Sequence, residues 1–143
     1  MRPRCSDNEY FHYYNANPKD KITSDCVIRA LCVVTGMKWD DVLDELVMIC
    51  HKVKSMPNNH LVYERFLKAH GFSKQKQPRK DSGGKVRGWE FCESLHGLTS
   101  CKIFTTIGTR HVVAIAKCGS EYKIYDHWNV QNDIVGTYWL KFD

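Results

Sequence analysis

Apolar residues recur at helical spacing as far as Gly97 and at alternate positions from there to the end. Val27, Ile28, Leu31 and Val34 form one stripe, and the polar run Thr23-Ser24-Asp25 stands directly before it. That pattern predicts a helix over 24–35, with Ser24 or Asp25 accepting from its free N–H groups and Gly36 stopping it. Trp39, Val42, Leu43, Leu46, Val47 and Cys50 form a second stripe, with Asp40, Asp41, Asp44 and Glu45 in its early turns. Acids near a helix N-terminus suit its dipole, and a solvated face is their plain use. Met56-Pro57-Asn58-Asn59 breaks the pattern and predicts the cap of a third helix, with Leu61, Val62, Phe66 and Leu67 on its apolar face and Gly71 at its end. A short fourth helix is predicted over 89–95, closed by Gly97. After Ser100 the period falls to two: 102–106, 110–118, 121–127 and 135–142 alternate and are rich in Val, Ile, Phe, Tyr and Thr. This order predicts an α+β domain, N-terminal helices packed on a C-terminal antiparallel sheet.

Two stretches lack a period. Residues 1–22 read as an irregular arm whose Tyr10, Phe11, Tyr13 and Tyr14 cover an apolar surface. Residues 73–87 hold Lys74, Lys76, Arg79, Lys80, Lys85 and Arg87 against one acid, Asp81, and read as a long basic surface loop. Such a loop is either a solvated connection or a positive rim that selects acidic substrates or an acidic partner. With no internal repeat and no low-complexity tract, residues 1–143 read as a single domain.

Composition narrows the classes. No apolar run approaches the roughly 18 residues of a membrane span, and Met1-Arg2-Pro3-Arg4-Cys5-Ser6 lacks the apolar stretch of a signal peptide. Seven cysteines, an odd number with no Cys-x-x-Cys pair, argue against a disulfide framework and for a reducing cytoplasm. Cys32, Cys50 and Cys92 fall on apolar helix faces as small core residues. The net charge of +5 permits an acidic partner, while the basic stretch lacks the interleaved aromatics of nucleic-acid binders. No His-x-x-x-His or His-x-Glu pair suggests a metal site, and no cofactor is expected. Oligomeric state is not legible.

Chemistry enters at Cys26. In the first helical turn a thiol feels the positive end of the dipole, which favours thiolate, and the same N–H groups can stabilise an oxyanion. Further along, Gly119-Ser120 forms a two-residue hairpin turn, so Cys118 opposes Glu121. Counting outward, Val113 opposes Asp126 and His111 opposes Trp128, which puts His111, Asp126 and Trp128 on one face and Asn129 on the other. A diagonal carboxylate fixes an imidazole's tautomer and stabilises its protonated form. Alone, a helix cysteine or a strand histidine has a structural use. Together, Cys26, His111 and Asp126 fit the order nucleophile, base, orienting carboxylate. The other six histidines show no comparable arrangement.

At these residues the chain resembles the small papain-like cysteine peptidases of bacteriophages and prophages. The resemblance lies in Asn17-Pro18-Lys19, Ser24-Asp25-Cys26-Val27-Ile28-Arg29-Ala30, Met56-Pro57-Asn58, Val62-Tyr63 with Leu67 and Gly71-Phe72, His111-Val112-Val113-Ala114 and Tyr125-Asp126-His127-Trp128. The spacing from His111 to Asp126 is also similar to that of the bacteriocin-leader peptidases of ABC transporters. It implies a papain-like fold, with Cys26 on a central helix facing a sheet that carries His111 and Asp126. It also implies cleavage of a peptide or isopeptide amide in a peptide or protein substrate, in a host cytoplasm if the chain is phage-encoded. Papain-like enzymes commonly place Gln six residues before the nucleophile as an oxyanion donor. Asp20 stands there in this chain, and Ser24 stands where the phage group often has Gly. Asn17, Thr23 or Ser24 is left to donate beside the Cys26 N–H, with Trp128 shielding the imidazole and carboxylate from water. The same triad also serves deamidation or acyl transfer, and a weakly catalytic papain-like fold binding a host protein through the basic loop is the remaining alternative.

Overall fold

The computed structural model describes residues 7–143. The element order is β1 (Phe11–Tyr13), α1 (Cys26–Thr35), α2 (Trp39–Val53), α3 (His60–Ala69), β2 (Ser73–Gln75), α4 (Gly88–Ser94), β3 (Cys101–Ile107), β4 (His111–Cys118), β5 (Glu121–Asp126) and β6 (Val135–Phe142). One six-stranded sheet runs β1-β5-β4-β3-β6-β2. The fold is therefore α+β. None of the described helices is long and apolar enough to cross a membrane.

The sheet has two covered faces, and strand alternation divides the core between them. Phe104, Val112, Ala114 and Trp139 join Val27, Leu31, Leu46, Phe66 and Leu67 on the side of α1, α2 and α3. Ile103, Val113, Ile115, Ile124 and Val135 join Phe91, Cys92 and Leu95 on the side of α4. The hairpin pairs as counted, Cys118 with Glu121 through Ala114 with Tyr125. Its ladder ends there, and His111 and Asp126 both lie beyond it.

Three expectations need correction. The sheet is mixed, because β1 lies parallel to β5 and satisfies that outer strand, with Phe11 wholly buried. The arm is thus part of the sheet from Phe11 to Tyr13, and its first six residues lie outside those described. The basic stretch is not a free loop either. Its start is β2, antiparallel to β6, and its middle folds back through an Arg79–Lys85 bridge. Lys74 pairs with Glu64 and Lys80 with Glu90, each at 2.9 Å, and the Arg87 guanidinium donates to the Asn132 carbonyl at 2.6 Å. Backbone ladders and nearby acids absorb much of the charge that the sequence alone leaves open. Finally, α1 begins at Cys26, two residues later than predicted. Asp25 occupies the cap position but makes no side-chain capping bond; its carboxylate turns inward. Asn59 does cap α3, accepting from the Leu61 N–H at 2.9 Å.

Candidate active site

Helix α1 packs against β4 and brings its first turn to the strand ends, where β4 and β5 are no longer paired. Cys26 is the first residue of that helix and remains half-buried. The His111 imidazole, on the first residue of β4, lies within reach of the Cys26 thiol, and the two line the same cavities. Its Nε2 lies 2.6 Å from Asp126 Oδ2 on the last residue of β5. A carboxylate can only accept, so Nε2 carries the hydrogen and Nδ1 is the ring atom left for sulfur. Thiol, imidazole and carboxylate thus stand side by side, with the imidazole between the other two.

Electrostatics follow from that contact. Burial alone would push the Cys26 thiol up, but its bond to His111, the imidazolium charge, the Val112 backbone and the Arg29 charge bring it below the usual thiol range. Burial works against a charged His111, yet hydrogen bonds to Asp126 and Cys26 and their negative charges raise its pKa from 6.5 to about 9. Both shifts favour the thiolate–imidazolium pair. The other thiols contrast with this: burial raises Cys32, on the same helix, and Cys92, on α4, to about 12 each.

Asp126 is 2% exposed and is held from three sides. Besides His111, it accepts from the His127 N–H at 2.7 Å and from Arg29 Nη2 at 3.3 Å. Arg29 is itself buried and also pairs with Asp25, whose other oxygen accepts from Trp39 Nε1 at 2.9 Å. Arg29 Nη1 donates to the Thr23 carbonyl at 3.2 Å, which ties the chain entering α1 to the same cluster. The guanidinium offsets two buried carboxylates that would otherwise be expensive to ionise. Trp128 stacks on His111 with ring centroids 4.5 Å apart and also lies 5.9 Å from the Arg29 guanidinium. Asn129 bonds Gln131.

Two cavities flank the thiol. One, of about 420 Å³, is lined by Cys26, Asn58, Tyr63, Thr106, Arg110 and His111 among others. The second, of about 510 Å³, includes Ser24, Cys26, Asn58, Arg110, His111 and Trp128. Neither is lined by Asn17 or Asp20. Those two residues close their own exposed turn, with the Asp20 N–H on the Asn17 carbonyl at 2.9 Å, the Lys19 N–H on Asn17 Oδ1 at 2.9 Å, and Asp20 at φ +52°. Ser24 does reach the second cavity, and its carbonyl accepts from Asn58 Nδ2 at 3.5 Å.

Four residues escaped the sequence reading. Arg29 carried a signal, since a charge inside an apolar helical stripe, four residues after an Asp, needs a buried partner. His127 shows no special arrangement in the sequence, yet it is buried against Asp126, with its Nδ1 at 3.8 Å from Oδ1, and burial lowers its pKa. Asn58 and Arg110 reach the thiol through tertiary packing, and no local pattern marks them.

Comparison of the chain with known protein families, curated proteins and solved structures finds no match.

Proposed function

We propose that the chain is a papain-like thiol hydrolase, a cysteine peptidase of the bacteriophage type, that cleaves a peptide or isopeptide amide. The observation that carries the reading is the His111 imidazole, placed beside the Cys26 thiol on one side and bonded to Asp126 at 2.6 Å on the other. The fold order supports it, with a thiol at the start of a helix seated on a sheet that supplies the imidazole and carboxylate.

His111 takes the thiol proton, and the Cys26 thiolate attacks the amide carbonyl carbon. The carbonyl oxygen becomes an oxyanion within reach of the N–H groups at the start of α1, and the Asn58 side-chain amide supplies a neutral donor to the same space. The C–N bond breaks as His111 passes its proton to the leaving amine. Water, deprotonated by His111, then hydrolyses the thioester and releases acid and free thiol. Asp126 keeps the imidazole in one tautomer, and Trp128 covers its face. All six described cysteines are free thiols, which suits a reducing compartment such as the cytoplasm.

The test is alkylation by iodoacetamide at neutral pH, read residue by residue by mass spectrometry, followed by incubation with a mixed peptide library. Cys26 is expected to react first, and new peptide termini are expected to vanish in Cys26→Ala. Reaction at Cys50 or Cys118 with Cys26 inert would refute the nucleophile. Ammonia release without new termini would move the chemistry to deamidation.

A further inference from the structure

Arg110 stands where both thiol-flanking cavities meet. It lines each of them beside Cys26 and His111. It belongs to the three-residue loop between the paired Ile107 and His111, and it sits there at φ +54°. A hairpin of this length places a left-handed residue just before the second strand, and glycine is the residue that adopts it without cost. A long side chain in that conformation is strained, and such outliers gather at functional sites.

The guanidinium is also uncommitted. Among the described residues Arg110 makes no hydrogen bond, ion pair or ring contact. Asp133 lies against Gly108 of the same loop but forms no ion pair with it. No carboxylate lines either cavity. The other cation there, Arg29, is spent on Asp25 and Asp126. The substrate space is thus left with one exposed, five-donor cation, and the fold supplies no acid to meet it.

We propose that Arg110 is a specificity residue that binds a substrate carboxylate next to the scissile amide. The inference rests on the thiol-hydrolase reading and names its substrate class. The carboxylate is either an acidic side chain or a chain terminus, and both offer two oxygens to the planar fork. The basic stretch of residues 73–87 does not serve this purpose, because none of its residues lines either cavity.

Three short peptides with a central dehydroalanine, to which a thiolate adds, provide the probe. One has Glu on both sides and an amidated terminus, one has Gln on both sides and an amidated terminus, and one has Gln on both sides and a free C-terminal carboxylate. The rate of adduct formation at Cys26 is measured by mass spectrometry for each, and iodoacetamide reports the intrinsic thiol reactivity. At least one acidic probe should react about three- to fivefold faster than the neutral one, the range of a solvent-exposed ion pair. Arg110→Gln should erase that ratio, Arg110→Lys should retain part of it, and added salt should shrink it. Which acidic probe is faster tells side chain from terminus. Equal rates for all three probes, or a ratio unchanged in Arg110→Gln, would overturn the assignment while Cys26 still reacts with iodoacetamide. Failure of Cys26 to react with iodoacetamide would instead overturn the hydrolase reading, and this one with it.

Discussion

The two faces of the sheet bury similar apolar side chains but hold thiols of opposite character. On the α4 side, Cys92 shares a core with Phe91, Ile103 and Ile124, and burial pushes it up to about 12. On the side of α1, α2 and α3 the core is apolar too, but the buried charged and polar groups Asp25, Arg29, Asp126 and His127 lie near Cys26, which falls below the usual range. Cys32 completes the contrast. It shares a helix with Cys26, lies farther from the N-terminus, and behaves like Cys92. A helix and a core do not activate a thiol; an imidazole held by a carboxylate, at a solvent-facing edge, does.

The largest break in this contrast is expected from His111→Ala. Turnover should fall about 10⁴-fold, and the pH at which Cys26 becomes alkylated should move upward toward that of an ordinary thiol. With Asn58 in the proposed role of oxyanion donor, Asn58→Ala should cost about 10²–10³ in kcat with the alkylation rate nearly unchanged. Asp126→Ala removes the partner of a buried guanidinium and should destabilise the fold by about 3–5 kcal/mol, read from urea unfolding.

The pH profile sharpens the comparison further. The His111 pKa is raised, so its proton is held below about 9 and lost above it, and turnover should decline as pH rises through that value. The Cys26 pKa is lowered, so the thiolate is lost only as pH falls below the usual thiol range, which sets the acid limb. A mutation on the far face should leave both limbs in place. Ile124→Val, in the α4-side core, is expected to cost about 0.5–1.5 kcal/mol of stability and to leave kcat and the profile unchanged.

Most elements were legible because their signals are local. The stripes of α1, α2 and α3 and the alternation of β3 to β6 follow from residues a few positions apart, and the Gly119-Ser120 turn set the hairpin register through Ala114 and Tyr125. The short strands β1 and β2 were not legible, because three residues at a sheet edge have no period of their own; β5 and β6 recruit them. Asp25 departs from the expected cap for a related reason. Its carboxylate has a local option at the helix start and a tertiary one at Arg29 and Trp39, and the buried cation wins.

The amino-acid sequence by itself determined that α1, α2 and α3 precede β3 to β6, that Cys26 lies in the first turn of a helix, and that His111 and Asp126 stand near the open end of one hairpin. Those are consequences of periodicity and turn geometry, which act over a few residues. Only the tertiary structure decided that α1 docks with its first turn at the strand ends, that Arg29 bridges two carboxylates, that Asn58 and Arg110 flank the thiol, and that Asn17 and Asp20 do not. Each of these depends on how apolar faces far apart in the chain come together, and burial and charge take their values from that packing.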